Sequence, residues 1–213
     1  KFAQQEYIPD RHQDPFVRSH PVASNRIAQL RDLVAKSPDA GVKDSPELQL
    51  RHDMMRAKIS GYLEGARTAG NRYPPSDTSL PARYARAIAK NCSGRCATHL
   101  ADVDALIKEQ PNNPYFWELK GNLQFWQGQH RDSVINLRKA NQMLGGNEPL
   151  IQTHLAQSLL ATEDPAMLDE GIALLRRAVV TDGDNPTAYS LLAKGLYNKG
   201  QLPQADLAAA QAH

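Results

Sequence analysis

The two cysteines and a following histidine form a cluster of side chains that could do chemistry. Cys92 and Cys96 lie across a predicted Ser-Gly turn, and His99 comes one helical turn later. Two thiols four residues apart can approach disulfide geometry. The Cys-x3-Cys-x2-His set also offers three metal ligands, although a zinc finger needs a second ligand pair. The sequence therefore leaves free thiols, a disulfide and a metal site open.

The common catalytic motifs are absent from the sequence. It contains no H-E-x-x-H, no P-loop, no G-x-S-x-G and no G-x-G-x-x-G. None of the seven histidines is paired with another at i+4 on a predicted helix. The acidic pairs Asp102/Asp104 and Glu163/Asp164 fall on predicted surfaces or turns, where solvation explains them. We therefore predict no catalytic residue and no cofactor in this chain.

Composition restricts the class of protein. The chain has 213 residues, 41% of them hydrophobic, which is enough for a folded core. Its 25 basic and 23 acidic residues give a net charge of +2, so electrostatics provide no reason to propose a nucleic-acid partner. No apolar run approaches the roughly 20 residues of a membrane span. The first residue is Lys1 rather than Met, so we expect a preceding part, with room for a targeting signal and another domain.

The second half of the chain contains a repeat that would position any functional side chain. A proline recurs at spacings of 35 and 37 residues, and a small residue follows each proline seven positions later. These pairs are Pro114 and Gly121, Pro149 and Ala156, and Pro186 and Ala193. The spacing is close to the 34 residues of a tetratricopeptide (TPR) helix-turn-helix repeat. Such pairs stack into a solenoid with a concave surface for a partner.

The repeat phasing predicts the architecture. We expect an all-α fold in which a TPR-like solenoid follows two linker helices, because no strand pattern appears. Four repeats are predicted at 80–113, 114–148, 149–185 and 186–213, after a helical linker segment at 1–79. Within that linker, one helix starts at Ser24, and a second runs from Pro46 to about Gly65 with Leu48, Met55, Ile59 and Tyr62 as its apolar stripe. A polar loop then covers residues 70–80.

TPR phasing also predicts the residues that face the concave groove. These are Tyr115, Glu118, Asn122, Phe125 and Trp126 in the second repeat, and Tyr197 in the fourth. Aromatic side chains are enriched among binding hot spots, so we predict that this groove binds an extended or unfolded polypeptide. The alternative is that Phe125 and Trp126 pack against a neighbouring helix.

Four stretches of the chain resemble a known family. They are S-H-P at 19–21, residues 44–58, the stretch beginning Y-P-P-S-D-T-S at 73, and N-P-Y-F-W-E-L-K-G at 113–121. Together they resemble the part that follows the catalytic domain in bacterial BepA (YfgC)-type zinc metallopeptidases with C-terminal TPR repeats. The last two stretches are the most specific, and the resemblance covers nearly the whole chain.

The resemblance implies a function that the residues alone do not. Members of that family are periplasmic and are associated with quality control and assembly of outer-membrane proteins. Their zinc-binding H-E-x-x-H helix and downstream Glu ligand would precede Lys1, so this chain would contain the interaction scaffold and no proteolytic site. His20 would lie just past the catalytic domain, either as an extra ligand that masks the zinc or as an ordinary surface histidine.

Two other functions fit the sequence. One is a free-standing TPR adaptor with no protease attached. The other is an enzyme that uses Cys92, Cys96 and His99 around a metal ion.

Overall fold

All regular secondary structure in the residues that the structure describes is helical, which confirms the predicted all-α class. The structure is a computed structural model, and it describes residues 23–92 and 100–212. These residues form eleven helices and no strand. The helices are α1 (Ala23–Lys36), α2 (Pro46–Leu63), α3 (Gly65–Arg72), α4 (Leu80–Cys92), α5 (Leu100–Glu109), α6 (Pro114–Trp126), α7 (His130–Met143), α8 (Pro149–Leu160), α9 (Pro165–Thr181), α10 (Pro186–Asn198) and α11 (Leu202–Gln211).

Helices α4 to α11 form four consecutive pairs. The first helix of each pair begins at Leu80, Pro114, Pro149 or Pro186, the residues with which the four predicted repeats start. Proline suits the first turn of a helix because the backbone N–H that it lacks would have no partner there. The side-chain oxygens of Asn113 and Asn185 accept hydrogen bonds from the first turns of α6 and α10.

The two helices of a pair cross closely where the sequence places small residues. A Cβ atom built on Gly121 would lie 2.6 Å from Cγ of Leu137, so only glycine allows this approach of α6 to α7. The Ser133 hydroxyl donates a 2.7 Å hydrogen bond to the Gly121 carbonyl and lies 2.8 Å from the Ser158 hydroxyl of α8. The contact between Ser133 and Ser158 joins the second pair to the third.

Contacts between successive pairs give the solenoid its inner face. The first helices α6 and α8 contact each other, as do α8 and α10. No comparable contact joins α7 to α9 or α9 to α11 in the described part of the chain. The first helices α6, α8 and α10 therefore lie on the shorter, concave side of the stack.

The chain divides into two compact units, up to Gln49 and from Leu50 to His213. The unit that contains the repeats also contains most of α2, from Leu50 onward. The reason is that α2 shares a core with α4, α5 and α6: Ala57 is buried in the cluster that includes Tyr84, Ile88 and Phe116.

The linker segment contains three described helices, so the prediction of two was incomplete. Helix α2 ends at Leu63, and the chain returns to helix at Gly65, whose φ of 71° lies in the left-handed region that favours glycine. The short helix α3 then occupies part of the segment that we predicted as a loop, and the loop starts at Tyr73.

Helix α2 buries its small residues and exposes its large ones, contrary to the usual role of an apolar stripe. Ala57, Ser60 and Gly61 are buried. The predicted apolar stripe, formed by Leu48, Met55, Ile59 and Tyr62, is exposed. The small face is preferred because α2 approaches α4 so closely that larger side chains do not fit.

We expect Gly61→Ala to destabilise the protein by about 1–2 kcal/mol, because the clash outweighs the better helix propensity of alanine. A Cβ atom at position 61 would lie 2.8 Å from Cβ of Ile88 and 2.9 Å from the Ala85 carbonyl oxygen, and neither atom can rotate away. Urea unfolding measures the change.

Gly70→Ala is the matched control. Gly70 lies in α3, and no atom lies within 4 Å of the methyl group that alanine would add. The substitution should therefore stabilise the protein by about 0.5–1 kcal/mol. Equal effects of the two substitutions would contradict the close contact between α2 and α4.

Candidate functional site

The structure distributes the six predicted groove residues between surface and interior. Tyr115, Trp126 and Tyr197 are 45%, 69% and 67% exposed, respectively. Asn122 and Phe125 are half-buried, and Glu118 is only 2% exposed. Three aromatic side chains of the first helices therefore face solvent, whereas Glu118 does not.

Glu118 is buried because α2 covers it. The Lys58 ammonium group of α2 lies 2.6 Å from Oε2 of Glu118 and 4.9 Å from the centre of the Tyr115 ring. Burial of a carboxylate costs several kcal/mol unless a partner and hydrogen bonds compensate it, and Lys58 supplies both. Helix α2 therefore occupies the concave face of α6, a contact that the repeat phasing of the sequence did not predict.

Phe125 and Trp126 are adjacent in sequence but have different environments. The Phe125 ring is half-buried and lies 5.3 Å from the His130 ring at the start of α7. The Trp126 ring contacts Phe125 edge-on at 5.3 Å and otherwise extends into solvent. Phe125 thus packs against a neighbouring helix, whereas Trp126 is exposed to solvent.

A cleft of about 860 Å³ lies between α2 and the turn that joins α5 to α6. It combines residues from three separate segments of the chain, so no local sequence pattern indicated it. Its lining comprises Leu50, Arg51, Met54, Met55 and Lys58 of α2, Leu80 and Tyr84 of α4, and residues 109–115. Its volume falls in the range of about 300–1,000 Å³ that is usual for ligand-binding clefts.

A histidine of α8 adds a titratable group beside the Lys58–Glu118 pair. His154 is partly buried, and its Nδ1 atom has no hydrogen-bond partner among the described residues. Burial lowers the pKa of His154 below its ordinary value of 6.5; nearby Glu118 opposes this effect, and Lys58 adds to it. The imidazole is therefore neutral near pH 7.

We expect this histidine to make the folded protein less stable in mild acid. The unfolded chain takes up a proton near pH 6.5, whereas the folded chain resists it, so stability should fall as pH drops below that value. His154→Gln should remove this part of the pH dependence. Urea unfolding between pH about 5 and about 8 covers the range. A His154→Gln profile as steep as that of the wild type would contradict the assignment.

The predicted metal ligands lie in parts of the chain that are not described. These are His20, Cys96, His99 and the side chain of Cys92. Within residues 23–92 and 100–212, no group of three or more His, Cys, Asp or Glu side chains is arranged to hold a metal ion. The described residues thus provide no zinc site. None of the described helices has the length and hydrophobicity needed to cross a membrane.

Comparison with known proteins supports a repeat protein. No protein-family model matches the chain. The formate-dependent nitrite reductase complex subunit NrfG of Escherichia coli O157:H7 is 29% identical over 99 residues, which cover 46% of this chain and 50% of NrfG. The chain thus spans about half the length of this curated relative.

Solved structures share the fold at low sequence identity. MamA 41-end from Desulfovibrio magneticus RS-1 has a TM-score of 0.60 and 17% identity, over 79% of this chain and 94% of that one. MamA from MSR-1 has a TM-score of 0.56 and 15% identity, over 76% and 91%. The chain is therefore a TPR-like helical-repeat protein, and these similarities give no support to a metallopeptidase parent.

Proposed function

We propose that this chain is the polypeptide-binding scaffold of a periplasmic zinc metallopeptidase that acts in outer-membrane protein quality control or assembly. In this proposal, the repeats hold an unfolded substrate or an assembly partner for a catalytic domain on another part of the protein. The chain binds and does not cleave. The metallopeptidase parent rests on the resemblance of residues 19–21, 44–58, 73–85 and 113–121.

One observation supports binding above all others. The first helices α6 and α10 expose Tyr115, Trp126 and Tyr197, although the apolar core residues of the same repeats are buried. Aromatic side chains give a large contact area at a low entropic cost, and buried aromatic residues dominate many binding interfaces. Tyr115 lies beside Lys58 of α2, so an extended polypeptide that crosses the uncovered part of the first helices would cover Trp126 and Tyr197.

The exposed stripe of α2 supports a further domain in the same protein. Ile59 and Tyr62 are both more than 40% exposed along one side of the helix. Contiguous apolar surface of this kind is usually covered by another domain or protein. A catalytic domain joined through residues 1–22 is the covering element in this proposal, and His20, outside the described residues, would be the candidate masking ligand of its zinc.

A free-standing TPR adaptor is the second candidate, because the structural similarities fit it equally well. The coding sequence upstream of Lys1 separates the two. An H-E-x-x-H motif there supports the metallopeptidase, and its absence leaves the adaptor.

A casein digestion assay tests whether the chain is proteolytic. The purified chain with added zinc should leave casein intact over hours. Cleavage that a chelator abolishes, in a preparation free of contaminating protease, would contradict the scaffold function and favour an enzyme.

A further inference from the structure

The cleft between α2 and the α5–α6 turn has a lining suited to a bulky apolar side chain. Leu50, Met54 and Met55 form one wall, Leu80 and Tyr84 lie on α4, and Pro111, Pro114 and Tyr115 complete it. Methionine side chains are flexible and polarizable, so they adapt to apolar groups of different shapes. Burial raises the pKa of Tyr84 well above its ordinary value, so its phenol stays neutral at physiological pH.

The charged groups of the lining leave one cation unpaired. Lys58 is neutralised by Glu118, and Glu109 is neutralised by Arg83. Arg51 is exposed and forms no ion pair with the residues that the structure describes. The apolar cleft therefore has a single uncompensated positive charge at its rim, and a guanidinium group is well suited to a carboxylate.

We propose that this cleft binds an internal segment of a polypeptide partner in which a bulky apolar residue is followed by an aspartate or glutamate. The apolar side chain enters between Met54, Tyr84 and Tyr115, and the carboxylate pairs with Arg51. Asn112 is exposed and also lines the cleft, and in this proposal its side-chain amide donates a hydrogen bond to a backbone carbonyl of the segment. This inference rests on the proposed scaffold function and specifies which sequences the scaffold prefers.

The occupant is a polypeptide for reasons of charge and shape. The cleft is partly open to solvent, so a segment of chain can enter it. The uncompensated charge is cationic, so a basic segment is disfavoured, and a purely apolar one leaves Arg51 unused. The interaction should distinguish acidic from basic neighbours of the anchor side chain.

Fluorescence polarization with designed peptides tests the proposal. The probes are fluorescein-labelled Gly/Ser decapeptides with a central Phe-Asp, Phe-Asn, Phe-Lys or Ser-Asp pair. The Phe-Asp peptide should bind most tightly. Arg51→Glu should weaken its binding about fivefold and should favour the Phe-Lys peptide instead. Arg56→Glu, an exposed arginine of α2 outside the cleft, is the matched control and should change neither.

The outcomes distinguish failure of the cleft proposal from failure of the proposed scaffold function. Each variant is also tested with fluorescent reduced, carboxymethylated α-lactalbumin. Equal binding of the Phe-Asp and Phe-Lys peptides, equal effects of Arg51→Glu and Arg56→Glu, or no saturation up to about 1 mM overturns the cleft proposal. If α-lactalbumin still binds in that case, the scaffold function stands, and if neither probe binds, both proposals fail.

Discussion

Lys58→Ala is expected to destabilise the protein by about 2–4 kcal/mol. The substitution leaves the Glu118 carboxylate, whose side chain is only 3% exposed, without its cationic partner. An unpaired buried charge costs far more than the ion pair itself contributes. Urea unfolding at pH 7 measures the loss, which should be cooperative because α2 shares the core of the first repeats.

Two variants establish the cause of that loss. Lys120→Ala removes the partner of Asp104, with which Lys120 forms an ion pair of 2.7 Å. Because the Asp104 side chain is 52% exposed, this substitution should lower the stability by less than about 1 kcal/mol. The double variant Lys58→Met, Glu118→Leu removes both charges and should recover most of the stability. Equal losses for Lys58→Ala and Lys120→Ala would show that α2 does not bury Glu118.

Trp126→Ala is expected to weaken binding of an unfolded polypeptide by about 2 kcal/mol or more, with little change in Tm. The reason is its 69% exposure, which leaves much contact area for a partner and little for the core. Isothermal titration of reduced, carboxymethylated α-lactalbumin, together with thermal unfolding, gives both quantities.

The neighbouring phenylalanine provides the contrast. Phe125 is half-buried against His130, so Phe125→Ala should lower the stability by about 2–3 kcal/mol. Ile135→Ala on α7 removes an exposed apolar side chain from a second helix and should change neither quantity. A Trp126→Ala variant that melts much earlier would place Trp126 in the core and contradict its proposed role in the groove.

Much of the fold follows from local signals in the sequence. Pro114, Pro149 and Pro186 start helices because proline fits the first turn, and Gly121 marks a helix crossing because no side chain fits beside Leu137. Such signals depend on residues that are close in sequence or on a fixed repeat, so they can be recognised in one amino-acid sequence.

The position of α2 did not follow from the sequence. Periodicity identifies the two faces of a helix but not the element that covers each of them. Met55 and Ile59 belong to the predicted apolar stripe, whereas the close approach to Ile88 buries the side with Ala57 and Gly61. The same limit explains Glu118, which repeat phasing assigned to an open groove and which Lys58 covers from 60 residues away. The cleft also combines residues that are distant in sequence, so the sequence alone did not indicate it.

Site-specific photo-crosslinking tests the central claim, polypeptide binding on the first helices, most directly. A benzophenone amino acid replaces one exposed residue at a time: Trp126 or Tyr197 on the first helices, and Ile135 or Val180 on the second. With reduced, carboxymethylated α-lactalbumin, crosslinks should be strong at positions 126 and 197 and weak at 135 and 180. Equal crosslinking at all four positions, or stronger crosslinking at 135 and 180, would contradict the assignment of the first-helix face as the binding surface.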